Sequence, residues 1–140
     1  MANANGNSST ERDQRKRKHI LAIDGASEFL EFLRMLFESE HYNVTTTNFV
    51  DRSFAMIAAL QPDLVIVDLV IGEQAGWDLM EQLHSEVVTQ GIPLILTSTL
   101  PELLHRAQAQ VERYGEHQVM AKPMDIDELL SAVEELIGSA

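Results

Sequence analysis

The sequence contains no cysteine, which excludes a disulfide framework and any thiol chemistry. It has no apolar run long enough to cross a bilayer. Its first segment, "MANANGNSSTERDQRKRK", is polar up to Ile20, so it is not a secretory signal. A cytoplasmic protein follows as the simplest expectation. The five histidines, His19, His41, His84, His105 and His117, show no metal-ligand spacing, so no site built from them is expected. Lysine is scarce as well. After residue 19 the only one is Lys122.

What is present is acid. Residues 1–19 hold Arg12, Arg15, Lys16, Arg17 and Lys18 against Glu11 and Asp13, a local balance of +3; with −12 overall, the remainder carries −15. So acidic a body repels phosphate backbones, which excludes direct DNA binding by the folded part. The basic run reads as a solubilising tail, with contact to an anionic partner as the alternative. Residues 1–18 have almost nothing to bury and are expected to be disordered. Residues 19–140, in a chain of 140 that is 45% hydrophobic, suffice for one domain with its own core.

From His19 onward, short apolar runs alternate with helical spacing. "HILAID", "YNVTTT", "LVIVD", "PLILTS" and "HQVMA" read as strands. "EFLEFLRMLFESE" after an N-cap at Ser27, "DRSFAMIAAL", "WDLMEQLHSEVV", "PELLHRAQAQVERY" and "DIDELLSAVEELI" read as helices. Pro62 stops the second helix, Gly91 and Pro93 bound the third, and Pro101 opens the fourth. Asp125 caps the fifth, with Glu128 three residues on and Gly138 past its end. "LVIVD" is apolar on both faces, as in a parallel sheet covered on both sides. Five strand–helix pairs predict a doubly wound α/β fold. With strand order 2-1-3-4-5, ligands bind beyond the carboxyl ends of the strands.

Why, then, does "LVIVD" end a buried run with an acid? Asp24, Asp68, Ser98 and Lys122 close the first, third, fourth and fifth runs. Two carboxylates on adjacent strands repel unless a cation lies between them. Hard oxygen ligands suit Mg²⁺, which takes one or two carboxylates together with water and phosphate. A carboxylate in such a site can attack phosphorus, and an ammonium and a hydroxyl are the supporting groups that phosphoryl transfer needs.

These residues resemble the receiver domain of two-component response regulators over residues 19 to about 137. "ILAIDG" is similar to the family's "ILVVDD", "PDLVIVDLVIGEQAGWDL" to "PDLVLLDxxMPxMDGxEL", "IPLILTST" to "IPVIxLTA", and "MAKPMDIDELL" to "YLxKPFxxxEL". The resemblance implies a flavodoxin-like receiver fold with Asp68 as phosphoacceptor, supported by Lys122 and Ser98. It implies Mg²⁺ held by Asp24, Asp68 and the backbone carbonyl of Val70, and a cis bond between Lys122 and Pro123. The implied partners are a histidine kinase or histidine phosphotransfer protein and a downstream protein target, with a homodimer also open. The activity is that of a signalling switch, not an enzyme acting on other substrates. With no output domain in the sequence, a stand-alone receiver is expected.

Four departures qualify this. Gly25 replaces the second acid, which in the family ligates Mg²⁺ directly; Glu28 or Glu73 are candidates to compensate. The loop "VIGEQAG" has Ile71, Gly72 and Ala75 in place of the family's Met-Pro and aspartate. Val119 stands where many receivers have Tyr or Phe, and Met124 where many have Phe, a mild exchange. Apolar Val70 and Leu100, at positions that face the attacking water in receivers, imply slow dephosphorylation. The alternative is a pseudo-receiver, a phosphorylation-independent interaction module. An Asp-x-Asp phosphatase is excluded by Val70, and a flavodoxin by the lone serine in "DGASEFLE".

Overall fold

The structure is a computed structural model and describes residues 17–48, 53–69, 74–114, 117–122 and 124–140. The expected disorder of the basic tail therefore falls, for residues 1–16, outside the described residues. Among the described residues, five strands, β1 (His19–Ile23), β2 (Asn43–Thr47), β3 (Leu64–Asp68), β4 (Leu94–Ser98) and β5 (Gln118–Ala121), alternate with five helices. These are α1 (Ser27–Ser39), α2 (Ser53–Leu60), α3 (Ala75–Ser85), α4 (Pro101–Tyr114) and α5 (Ile126–Ile137). The strands form one parallel sheet in the order β2-β1-β3-β4-β5. The architecture is that expected from the sequence.

Side chains alternate across a strand, and here the alternation divides the core in two. Ile20, Ala22, Leu64, Ile66 and Ile95 pack with Leu30, Leu33 and Phe37 of α1 and with Leu129, Ala132 and Val133 of α5. The residues between them, Leu21, Ile23, Val65, Val67, Leu94 and Leu96, pack with Ile57 of α2, with α3 and with Ala107 of α4. Both faces of the central strands are thus dry, which is why they read as unbroken apolar runs. β2 is the edge strand and is half-buried throughout. Its threonines suit that position, and Arg34 of α1 donates to the Thr46 hydroxyl at 2.8 Å.

Several boundaries differ from those read in the sequence. α1 begins at Ser27, not after it, with Ala26 as the N-cap residue. No side chain caps this helix start; just before it, Asp24 Oδ1 accepts from the Ala26 N–H at 2.8 Å and closes the turn that leads in. α3 ends at Ser85, short of the valines expected in it. The Thr89 hydroxyl donates to the Leu83 carbonyl at 2.8 Å and closes the helix end, while β-branched Val87 and Val88 lose rotamer freedom in a helix. The Gln61 that precedes Pro62 takes φ 48°, a left-handed stop in place of the extended one usual before proline. Asp125 does cap α5, its side chain accepting from the Glu128 N–H at 3.1 Å, and Gly138 follows at φ 80°. Asp125→Ala is expected to lower stability by about 1 kcal/mol, read as a shifted urea midpoint.

At the amino ends of β4 and β5 two histidines meet. The Leu94 N–H donates to His117 Nδ1 at 2.9 Å, so that nitrogen carries no proton. His84 Nδ1 lies 2.8 Å from the Met80 carbonyl, which only accepts, so it carries one. The 2.7 Å contact between the two Nε2 atoms is then a bond from His117 Nε2–H to His84 Nε2, and both rings are neutral. Burial, and then the neighbouring His84, push His117 down to about 4; burial also lowers His84. The two rings face each other, and Glu81 and Glu86 nearby in sequence are exposed. An unfolded histidine binds its proton near pH ~6.5, before the folded pair does. Stability is therefore complete above that pH and lost as pH falls toward His117's own value. Urea midpoints are expected to drop between about pH 7.5 and pH 5. The drop should shrink in a His84→Gln/His117→Gln variant, leaving a residue from His19, which burial also lowers.

Candidate functional site

At the carboxyl edge of the sheet, Asp24 follows β1, Asp68 ends β3, Thr97 and Ser98 close β4, and Lys122 follows β5. The two-residue period continues the packing pattern past the apolar residues. Asp24 follows Ile20 and Ala22, Asp68 follows Leu64 and Ile66, Thr97 follows Ile95, and Lys122 follows Met120. All four therefore belong to the face covered by α1 and α5. The Lys122 N–H donates to the Ser98 carbonyl at 2.9 Å, which fixes where the lysine side chain starts.

The Lys122 ammonium lies between the two carboxylates. It donates to Asp24 Oδ2 and sits 3.1 Å from Asp68 Oδ1. Asp24 is only 4% exposed, and its second oxygen is held by the Ala26 N–H. Leaving either carboxylate unpaired here would be costly. Asp68 has its carboxyl raised above the usual range, first by burial and then by the charge of Asp24. Lys122 and the Thr97 hydroxyl oppose that shift without cancelling it.

The hydroxyl nearest Asp68 belongs to Thr97, at 3.4 Å from Oδ1. Ser98, expected from the sequence as the hydroxyl that supports a phosphoryl group, is the next residue along β4. Asp68 and Thr97 are register partners in the β3–β4 ladder, so their side chains share a face. Ser98, one residue on, is buried with Leu94 and Leu96 on the other face, and its hydroxyl accepts from the Leu100 N–H at 3.0 Å. Counting the alternation from Ile95, and not taking the last polar residue of the run, finds Thr97 in the sequence.

Val70 with its carbonyl, Ile71, Gly72, Glu73 and Pro123 lie outside the described residues. Ala75 opens α3, and Glu28 is exposed in the first turn of α1. Gly76 lies against the end of β3: a Cβ there would stand 3.1 Å from Leu69 Cδ2 and 3.6 Å from the Asp68 carbonyl oxygen. Its lack of a side chain lets α3 approach the strand carrying Asp68. Trp77 is buried beside it, with the Arg106 guanidinium 4.3 Å from the ring centroid. Val119 packs against the core on the α2, α3 and α4 face, and Met124 on the opposite face.

Among the described residues no three metal-ligating side chains come together. The donor set is Asp24 and Asp68, two hard carboxylates of the kind that suits Mg²⁺ completed by water and phosphate. Around Gly25 there is open space: a Cβ added there would meet nothing within 4 Å. The residues thus fit Mg²⁺, with one acid fewer and an ammonium already between the carboxylates.

A family model described as the response regulator receiver domain matches residues 20–134. The chain belongs to this family. Receivers act in two-component signalling, generally bind Mg²⁺ and imply a histidine kinase partner. Among curated relatives, the DNA-binding dual master transcriptional regulator RpaA of Synechocystis sp. is 25% identical over 118 residues, 84% of this chain and 48% of that protein. The transcriptional regulatory protein CusR of Escherichia coli is 31% identical over 75 residues, 54% of this chain and 31% of that protein. This receiver spans about half the length, or less, of the curated relatives it matches. A response regulator receiver domain protein from Methanospirillum hungatei shares the fold with a TM-score of 0.74 at 22% identity, covering 86% of this chain and 93% of that one. The receiver domain of a signal transduction histidine kinase from Syntrophus aciditrophicus gives 0.72 at 24%, covering 86% and 89%. Among the described residues of this receiver no helix is long and apolar enough to cross a membrane.

Because Asp68 binds its proton more readily folded than unfolded, its ionisation opposes folding. That cost is absent below the unfolded value near pH ~4 and grows as pH rises through the folded one. Asp68→Asn, which keeps an oxygen toward Lys122, is expected to raise the melting temperature at neutral pH. The gain should vanish in acid, as thermal melts across pH would record.

Proposed function

We propose that the chain is a working receiver that accepts a phosphoryl group on Asp68 from a phosphohistidine and thereby changes its binding to a protein partner. The observation that carries this reading is the Lys122 ammonium held against Asp24 and Asp68 together. Among the described residues, the contacts from Lys122 and Thr97 both fall on Asp68 Oδ1, so Oδ2 is the nucleophile. A new P–O bond forms as the P–N bond of the phosphohistidine breaks, and the electron pair returns to the imidazole. Lys122 stays in place and meets the charge on the phosphoryl oxygens, where a preorganised cation is most effective. Thr97 orients the carboxylate. Ser98 serves as the donor that leaves its turn with Leu100 to reach a phosphoryl oxygen and moves the β4–α4 connection with it.

Mg²⁺ bound by Asp24 and Asp68, with the Val70 carbonyl as a further ligand, supplies additional positive charge when present. Gly25 makes that binding weak. The donor is a histidine kinase or a histidine phosphotransfer protein, and the target is a protein. The second reading, a pseudo-receiver that binds partners without phosphate, is favoured by one observation: Lys122 already neutralises one carboxylate charge with no metal required.

Exposure to acetyl phosphate, with and without Mg²⁺, followed by intact mass, distinguishes the two. The expected result is one added phosphoryl group that is absent in Asp68→Ala. Gly25→Asp, for which there is room, is expected to tighten Mg²⁺ binding at least about tenfold, read by titration calorimetry. An unmodified mass at millimolar Mg²⁺ in both the original chain and Gly25→Asp would establish the pseudo-receiver.

A further inference from the structure

Lys122 works at a distance from its own strand. β5 is separated from β1 by β3 and β4, three strand spacings or about 14 Å, yet the ammonium reaches Asp24 at the end of β1. A lysine stem has four freely rotating carbons and its head is a point charge with no built-in direction. Carboxylates attract that charge from any side, so they do not by themselves decide where it rests. Something must close the far side.

That wall is Phe29. Its ring centroid lies 4.3 Å from the Lys122 nitrogen, inside the ~6 Å range in which a ring face attracts a cation. The buried seam of α1 is Leu30, Leu33 and Phe37, at helical spacing. Phe29 stands beside that seam and is only partly buried against the core. Phe32, one turn on, stacks with it, the ring centroids 6.2 Å apart and the planes at 29°. We propose that Phe29 is a positioning residue, whose ring face holds the Lys122 ammonium over the Asp24–Asp68 pair. This deepens the receiver reading of the same site and rests on it for its functional consequence. The resting place of the ammonium itself does not depend on that reading.

The test uses the full chain, whose only lysines are Lys16, Lys18 and Lys122, labelled with ¹³C-lysine. Protons over a ring face are shifted upfield, so the Lys122 ε-methylene is expected upfield of the other two. Phe29→Leu and Phe29→Met, the latter an unbranched filler in case the former fails to fold, should abolish the shift. Phe29→Tyr, which keeps the ring, should restore it. Modification of Asp68 by acetyl phosphate should slow about two- to five-fold in the Leu and Met variants and recover in Tyr. If the chain takes no phosphate at all, the functional reading falls while the lysine spectrum still decides the positioning. A Lys122 signal unchanged by Phe29→Leu or Phe29→Met, or lost equally in Phe29→Tyr, overturns the proposal.

Discussion

Two carboxylates and one ammonium at the edge of a dry sheet are the constraint on which the rest of this molecule turns. Asp24 and Asp68 lie at the ends of neighbouring strands, where the charge of Asp24 adds to the cost of ionising Asp68. One lysine between them leaves a single net negative charge. An aspartyl phosphate at Asp68 would carry about −2, so the resting balance would worsen by one charge, which is what a divalent cation corrects. A site with a third acid at position 25 would need more positive charge for the same balance. Gly25 would therefore weaken a hold on metal and at the same time reduce the demand for it. By charge balance alone, its presence would not disarm such a site.

Strand alternation is what delivers the groups to one place. The same period that sends Ile20, Leu64 and Ile95 toward α1 and α5 sends Asp24, Asp68 and Thr97 there too. The stability of the apolar layer and the geometry of the polar edge are consequently one property. A register slip of a single residue would turn every one of these side chains to the opposite face. The packing that forbids the slip is what permits Asp68 to be held in a place that disfavours its charge.

Much of this is legible in the sequence. Apolar runs that close on Asp24, Asp68 and Lys122 give strand ends, and the alternation with helical patterns gives the parallel order. Thr97 is not found that way, because a run's last polar residue is a poorer guide to facing than its parity. Nor is the helix end at Ser85, since the Thr89 hydroxyl that closes it bonds six residues back, a tertiary choice no local propensity encodes. The histidine pair is invisible for a related reason. His84 and His117 lie 33 residues apart, and only the β4–β5 pairing brings the second ring to the end of α3.

What surrounds Lys122 also sets the direction in which a change at Asp68 travels. β5 offers Val119, a branched side chain without a ring to swing, so that strand has little with which to report a shifted lysine. On the other side the contacts run from Asp68 to Lys122, from Lys122 to the ring of Phe29, and from Phe29 to Phe32. Phe32 is 39% exposed and Met35, one turn farther along α1, is 65% exposed. An ammonium that stays against Phe29 while meeting a phosphoryl oxygen would share its charge with that oxygen, and the stacked pair would feel less of it. The residues that would feel such a change first are on α1.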